Sequence, residues 1–267
     1  MSRKKLMEEM TWTELREAMA SADTALIPTG SVEVEGPHLP LAVDSIVAME
    51  VARRVADATE GVIVAPLFNV TYSSWHGAFS GTLSLTMPTL MTVMSQICRD
   101  LCRHGFKRLF FINSHIGNDA SIWNTANDLT AEGLARVGMV SIWPLASEMG
   151  QHMSELKENS FLHAGEIMTS VVMAIRPDLV DMSQAVTEYL KPKSEGYQPL
   201  LSSKSKVGGR VISIYHTSEE LTQSGVMGNP SQASADKGEM IIGNMVEYIS
   251  QAVDEFRQVP LPPGIGA

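Results

Sequence analysis

Residues 24–59 read TALIPTGSVEVEGPHLPLAVDSIVAMEVARRVADAT and contain three kinds of sequence in succession. The first, Thr24–Gly30, is apolar with no inside–outside alternation, the pattern of a strand covered on both faces. The last, Ser45–Thr59, spaces Val47, Val51, Val55 and Ala58 for one face of a helix. Between them, Glu33, Glu35, Asp44 and His38 are crowded among prolines and glycines. An unpaired charge beside a buried strand is costly, so these carboxylates need something to hold.

Outward from this stretch the same alternation continues. Gly61–Phe68, Lys107–Asn113 and Ala135–Trp143 are apolar enough for buried strands. Thr11–Ala22, Thr86–His104, Asp119–Gly133, His163–Ile175 and Ser231–Phe256 have helical spacing, and Gly105 stands where a helix would be capped. Strands separated by helices of this length predict an α/β fold, a three-layer αβα arrangement with a mostly parallel central sheet. Residues 192–210, rich in Gly, Ser, Pro and Lys, read as a surface excursion, and Val211–His216 as an edge strand. No composition break divides the chain, so residues 1–267 are expected to form a single domain.

The net charge of −10 argues against nucleic acid and anionic membrane surfaces as partners. No apolar run is long enough to span a bilayer. Cys98 and Cys102, four apart on one helix, are expected to be free thiols, which fits a reducing, cytoplasmic setting. None of this identifies a partner.

In open parallel sheets ligands bind beyond the carboxyl ends of the strands. Four polar segments fall there: the acidic stretch itself, 74-SWHGAFSGTLSL-85, 113-NSHIGND-119 and 163-HAGEIMTS-170. Glu33, Asp44 and His115 form a candidate triad of oxygen and imidazole ligands suited to Zn²⁺ or Mn²⁺. Glu33 and Glu35, two apart, share one side of an extended segment, so Glu35 is a candidate ligand as well. Each group also has a plainer reading. Asp44 would serve as an N-cap of the helix at Ser45, Asn113 and Asp119 as turn residues, and His38 and His76 as packed histidines.

These segments resemble the creatininase (creatinine amidohydrolase) family. GSVEVEGPHLPLAVD at 30–44, GTLSL at 81–85, NSHIGN at 113–118, HAGEIMTS at 163–170, GVMGNP at 225–230 and KGE at 237–239 follow the family's motifs in order. The resemblance implies a metal-dependent hydrolase acting on small cyclic amides or formamides through one or two Zn- or Mn-type ions, assembled as a homo-oligomer, typically a hexamer. By position it implies Glu33, Asp44 and His115 as first-metal ligands, with Asp44 bridging, and His163 as the proton donor to the leaving group. Glu35 becomes a metal ligand or a general base, with Glu166 as a further group at the second ion or substrate. Trp75 and His76 are expected in the pocket wall.

The chain departs from the family pattern where it has Val34-Glu35-Gly36 for Gln-His-Gly, Met168 for a glutamate and Gly117 for a carboxylate found in some members. A more anionic cage favours harder ions, and creatinine itself is not the expected substrate. Two further functions are compatible with these residues: hydrolytic C–C cleavage of a cyclic polyol diketone such as an oxidised inositol, and non-catalytic binding of a sugar or polyol.

Overall fold

A computed structural model of the chain describes residues 4–150, 162–200 and 204–264. A short helix, α1 (Trp12–Ala18), opens with Thr11 and Glu14 in a reciprocal capping box and leads into the central strand β1 (Thr24–Thr29). Next come α2 (Val43–Ala58), β2 (Val62–Val64), α3 (Met87–Arg103), β3 (Arg108–Asn113), α4 (Asp119–Ala131) and β4 (Arg136–Ser141). The four strands form one parallel sheet in the order β2-β1-β3-β4. The mostly parallel sheet covered on both faces is the one the alternating pattern predicts.

Each strand sends alternate side chains to opposite faces. Leu26, Val62, Val64, Phe110 and Ile112 pack under α2, α6 (Glu166–Ile175) and α8 (Ala235–Gln258). Ala25, Ile27, Ile63, Leu109 and Phe111 pack under α1, α3 and α4. The helix after β1 therefore covers one face and the helix after β2 the other. The chain leaves β1 toward β2 and later returns to β3 on β1's other side. The crevice between the ends of β1 and β3 is the topological switch point, where ligands bind in sheets of this kind.

Several boundaries differ from those read in the sequence. The fourth strand ends at Ser141 rather than Trp143, and α5 (Ile142–Gly150) begins at once. Pro144 lies in the first turn of α5, where its missing N–H costs nothing. Residues 163–165 form a turn ahead of α6, because Ala164 adopts φ +53°. β2 is only three residues long, although the chain keeps hydrogen-bonding to β1 past Pro66, the Phe68 amide donating to the Pro28 carbonyl at 3.1 Å.

The excursion at 192–210 is more regular than a loop. Its described residues contain β5 (Tyr197–Pro199) and β6 (Lys204–Val207), which join β7 (Arg210–Ser213) in a separate antiparallel sheet. Gly208 and Gly209, both at positive φ, make the two-residue hairpin turn. Residues 201–203 of that excursion lie outside the described residues. A one-turn helix, α7 (Ser218–Leu221), follows. No described helix is long and apolar enough to cross a membrane. Cys98 and Cys102 are both free thiols.

Candidate active site

Beyond β1 the chain stays extended for a few residues. The Leu83 amide donates to the Val32 carbonyl at 2.9 Å, and the Val34 amide to Thr82 Oγ1 at 3.2 Å, so 81-GTLSL-85 acts as a splint for the acidic stretch. Gly36, at φ +70°, then turns the chain back, and the Glu33 amide donates to the Leu41 carbonyl at 2.9 Å. A side chain at 36 would meet Val226 at 2.6 Å, so turn and packing both require glycine there. Glu33 and Glu35 consequently face the crevice together, while Val34 packs beneath Gly225.

Asp44 lies in the first turn of α2 but is not its cap. Asp44 Oδ2 accepts from Ser31 Oγ at 2.8 Å and Oδ1 from the Trp143 indole N–H at 2.7 Å. Ser114 Oγ donates to the Asp44 carbonyl at 2.6 Å, tying the end of β3 to the start of α2. His115 follows directly, with Trp75 stacked on its ring at 5.4 Å. Its Nε2 lies 2.8 Å from the Tyr72 carbonyl, a pure acceptor, so that nitrogen carries a proton. In a neutral ring the lone pair is then on Nδ1, which points at Glu33 Oε1 (3.3 Å) and Asp44 Oδ2 (3.1 Å).

Two lone-pair-bearing oxygens facing a lone-pair-bearing nitrogen require a cation or a proton between them. Ligand atoms about 2.1 Å from a tetrahedral ion stand about 3.4 Å apart, close to the separations here. Glu33 Oε2, buried and without a hydrogen bond, adds a free donor. The residues therefore fit a divalent metal, with Ser31, Trp143 and Tyr72 orienting the ligands.

The electrostatics match this geometry. Burial opposes ionisation of Glu33, but the surrounding His115, His76 and His163 outweigh it and hold its pKa at about 2. Burial likewise opposes protonation of His115, and the Glu33 and Asp44 charges overcome it, pushing its pKa well up. Glu35 goes the other way: burial first, then the Asp44 and Glu33 charges, raise its pKa far above the carboxylate range. Burial chiefly lowers His76 to about 3, leaving it a neutral imidazole.

The other residues singled out in the sequence divide into two sets. His163 is in the crevice, its Nε2 2.8 Å from the Val34 carbonyl and 3.5 Å from Glu35 Oε2. Trp75 and His76 line the same cavity. His76 does more than line it, because its Nε2 is 3.4 Å from Glu33 Oε1 and its ring stacks on that of His163 at 4.9 Å. Glu166 does not reach the cavity. Its carboxylate is bound by Lys237 Nζ at 2.9 Å behind the α6–α8 contact, which corrects its assignment to substrate or second ion. His38 is structural: it packs behind the crevice with Nε2 3.0 Å from Thr169 Oγ1. Trp143, Tyr215 and Ser218 were not singled out, since none carries a local motif.

The cavity over these groups encloses about 880 Å³. Its floor is acidic; Trp75, Trp143, Met87 and Tyr215 make much of its wall, and among the described residues no Lys or Arg lines it.

A carboxylate–imidazole centre at the switch point of a parallel α/β sheet marks a metal-dependent hydrolase. The family model for creatininase, creatinine amidohydrolase, matches residues 8–253, and the chain belongs to that family of hydrolases. Creatinine amidohydrolase of Pseudomonas putida is 28% identical over 96% of this chain and 98% of its own length. A mycofactocin precursor peptide peptidase of Mycobacterium ulcerans is 30% identical over 90% and 87%. A 3-dehydro-scyllo-inosose hydrolase of Thermotoga maritima is 24% identical over 96% and 86%. A solved creatininase in its Mn form superposes with a TM-score of 0.78 at 26% identity, covering 96% of this chain and all of that one.

Proposed function

We propose that the protein hydrolyses an amide-type C–N bond in an uncharged organic substrate, using a divalent ion of the manganese or zinc kind held by Glu33, Asp44 and His115. The observation that carries this reading is that triad, with ligand atoms within 4.8 Å of one another at the buried floor of a substrate-sized cavity. When bound, such an ion lowers the pKa of water toward neutrality and polarises a carbonyl. The chain's own groups supply the rest. Asp44 and Glu33 bring the negative charge, and Ser31 and Trp143 fix the direction of the Asp44 carboxylate. Glu35, kept as a carboxylic acid by burial, holds a proton beside His163, and the pair delivers it to the leaving nitrogen. Trp75 and Trp143 exclude bulk water and orient the substrate face.

The substrate is of the cyclic amide or formamide type, and the Val34-Glu35 departure argues against creatinine itself. A cavity without described basic residues favours uncharged substrates over anionic ones. A second reading, cleavage of a peptide amide, is favoured by volume. At about 880 Å³ the cavity lies at the upper end of the range for drug-sized ligands and exceeds the need of a single small ring. A homo-oligomeric, hexameric assembly in the cytoplasm belongs to the same reading, and light scattering tests the assembly.

The test is turnover by purified protein supplied with Mn²⁺ or Zn²⁺, offered cyclic amides, formamides, short peptides and inosose-type ketones. C–N cleavage that disappears in Glu33→Ala is expected. Turnover confined to the ketones would replace C–N with C–C hydrolysis. Ligand binding without any turnover, in protein shown to carry metal, would replace catalysis with a binding role.

A further inference from the structure

We infer that Asp119 is a specificity-determining residue of this cavity, its carboxylate accepting a hydrogen bond from an N–H of the substrate. The inference rests on reading the protein as a hydrolase of cyclic amide-type bonds, and it gives that reading a selective group where the sequence offered only a turn residue.

Asp119 opens α4, is half-buried and lines the cavity. Asn113, at the end of β3, pairs with Ser141 at the end of β4, and both line the same cavity. Asn113 Nδ2 donates to Asp119 Oδ1 at 2.8 Å. Asn113 is itself fixed. Its Oδ1 accepts from the His115 amide and from Asn118 Nδ2, each at 3.2 Å, and Asn118 Nδ2 also donates to the Gly30 carbonyl at 3.0 Å. The carboxylate is thus tied, through two buried side-chain amides, to the ends of β1 and β3 that also place Glu33 and His115.

This tie uses one oxygen. Among the described residues nothing hydrogen-bonds Asp119 Oδ2. An aspartate in the first turn of a helix needs no special role, since negative charge is favourable there. That accounts for the residue type and not for its direction. A cap turns its oxygen to the amides of its own helix, whereas Asp119 gives Oδ1 to a side chain of β3. Burial raises the pKa of this carboxyl, more than the Asn113 bond and the His115 charge lower it, which is the state of a carboxylate short of donors.

The missing donor has to come from a ligand. No described Lys or Arg lines the cavity, and the indole N–H of Trp143 is already given to Asp44. A substrate N–H complements a fixed, partly desolvated carboxylate oxygen. Carbonyl and carboxylate groups are turned away from the same point, because they bring lone pairs to lone pairs. An analogue without the N–H binds poorly, since it leaves the acceptor unpaired.

The experiment compares the binding of hydantoin, 1-methylhydantoin and 3-methylhydantoin to the metal-loaded protein; each methyl group removes one ring N–H. Affinity is read as Kd by calorimetry, or as KM for a compound that is turned over. In wild type one of the two methylated compounds is expected to bind about tenfold to a hundredfold more weakly than hydantoin. In Asp119→Asn the side chain keeps its oxygen on Asn113 and presents an NH₂ in place of Oδ2, a donor where wild type has an acceptor. Hydantoin should then lose its advantage, the ratio falling below about threefold, with the melting temperature unchanged. An unaltered ratio in Asp119→Asn, or wild type that binds all three compounds equally, would overturn the role of Asp119 and leave the hydrolase reading intact. Wild type that binds none of the three would overturn the cyclic-amide reading and the role of Asp119 together.

Discussion

The floor of the cavity is made by strand ends and its wall by loops, and the two are fixed by different forces. Glu33 lies four residues beyond β1, His115 two beyond β3, and Asp44 in the first turn of the helix that covers them. Their positions follow from backbone ladders between β1 and β3 and from short bonds such as Ser114 Oγ to the Asp44 carbonyl. His76, His163 and Tyr215 come from segments held by a few long-range contacts, Ser218 to His76 and Met227 to His163 among them. A ladder fixes strand ends by several backbone bonds at once, whereas these loop segments depend on single bonds. If the proposed metal site is right, the difference puts its ligands in the floor and leaves substrate choice to the wall.

The strongest way to break this division is to remove a floor ligand. Asp44→Ala should lower kcat/KM at least 10³-fold, about 4 kcal/mol, because it deletes a proposed ligand and frees its two orienting donors. The measurement is turnover on whichever substrate the screen identifies, with circular dichroism confirming the fold. A loss below tenfold would move the chemistry out of the floor.

The next effect is on stability and concerns the back of the floor. Burial lowers the pKa of His38 from 6.5 to about 4. The folded protein keeps this imidazole neutral, while the unfolded chain takes up a proton below about pH 6.5. The contribution to stability is therefore complete above that pH, declines as pH falls toward about 4, and is constant below it. At 1.36 kcal/mol per pKa unit the full swing is about 3 kcal/mol. Subtracting the pH–stability curve of His38→Asn from that of wild type isolates this group. A flat difference between pH 7 and 4 would show that His38 is not protected.

The same contrast explains how much the sequence revealed. The apolar runs, the helical spacing and the acidic stretch are local, so the sheet, its covering helices and the meeting of Glu33, Asp44 and His115 were legible. Glu33 and Glu35 facing one way followed from extended geometry. The role of His76 was not legible, because nothing within the segment Ser73–Gly77 records that Ser218, 142 residues away, aims its ring. Trp143 was read as the end of a strand, and its bond to Asp44 depends on a helix starting directly after β4. The excursion around Gly208-Gly209 read as irregular because β5, β6 and β7 are short and mostly exposed, so burial leaves no periodic trace. Those two adjacent glycines were nevertheless a hairpin signal. Glu166 looked available because Lys237, its partner, is far along the chain.

Where floor meets wall, Gly117 tests the fit of the two. Its Cβ position is filled by Trp75 and the Tyr72 carbonyl, one from the wall and one from its backbone. Gly117→Ala should cost about 2 kcal/mol in denaturant unfolding, in the range for overpacking a tight site. It should also displace Trp75 from His115, visible as a change in tryptophan fluorescence. A stable variant with unchanged fluorescence would mean that the two parts are not packed tightly there.

The smallest effect belongs at the outer lip. Tyr215 lines the cavity yet is 81% exposed, with little packing to lose. Tyr215→Ala should change stability by no more than about 0.5 kcal/mol. It should raise KM roughly threefold to tenfold with kcat unchanged, the signature of lost uniform binding. Steady-state kinetics on two substrates of different size sharpens the point. If the wall sets choice, the larger substrate should lose more, since only it extends from the floor to the lip. An equal fall in kcat for both would instead mean that the lip acts on the reacting centre, and the separation between a chemical floor and a selective wall would fail there.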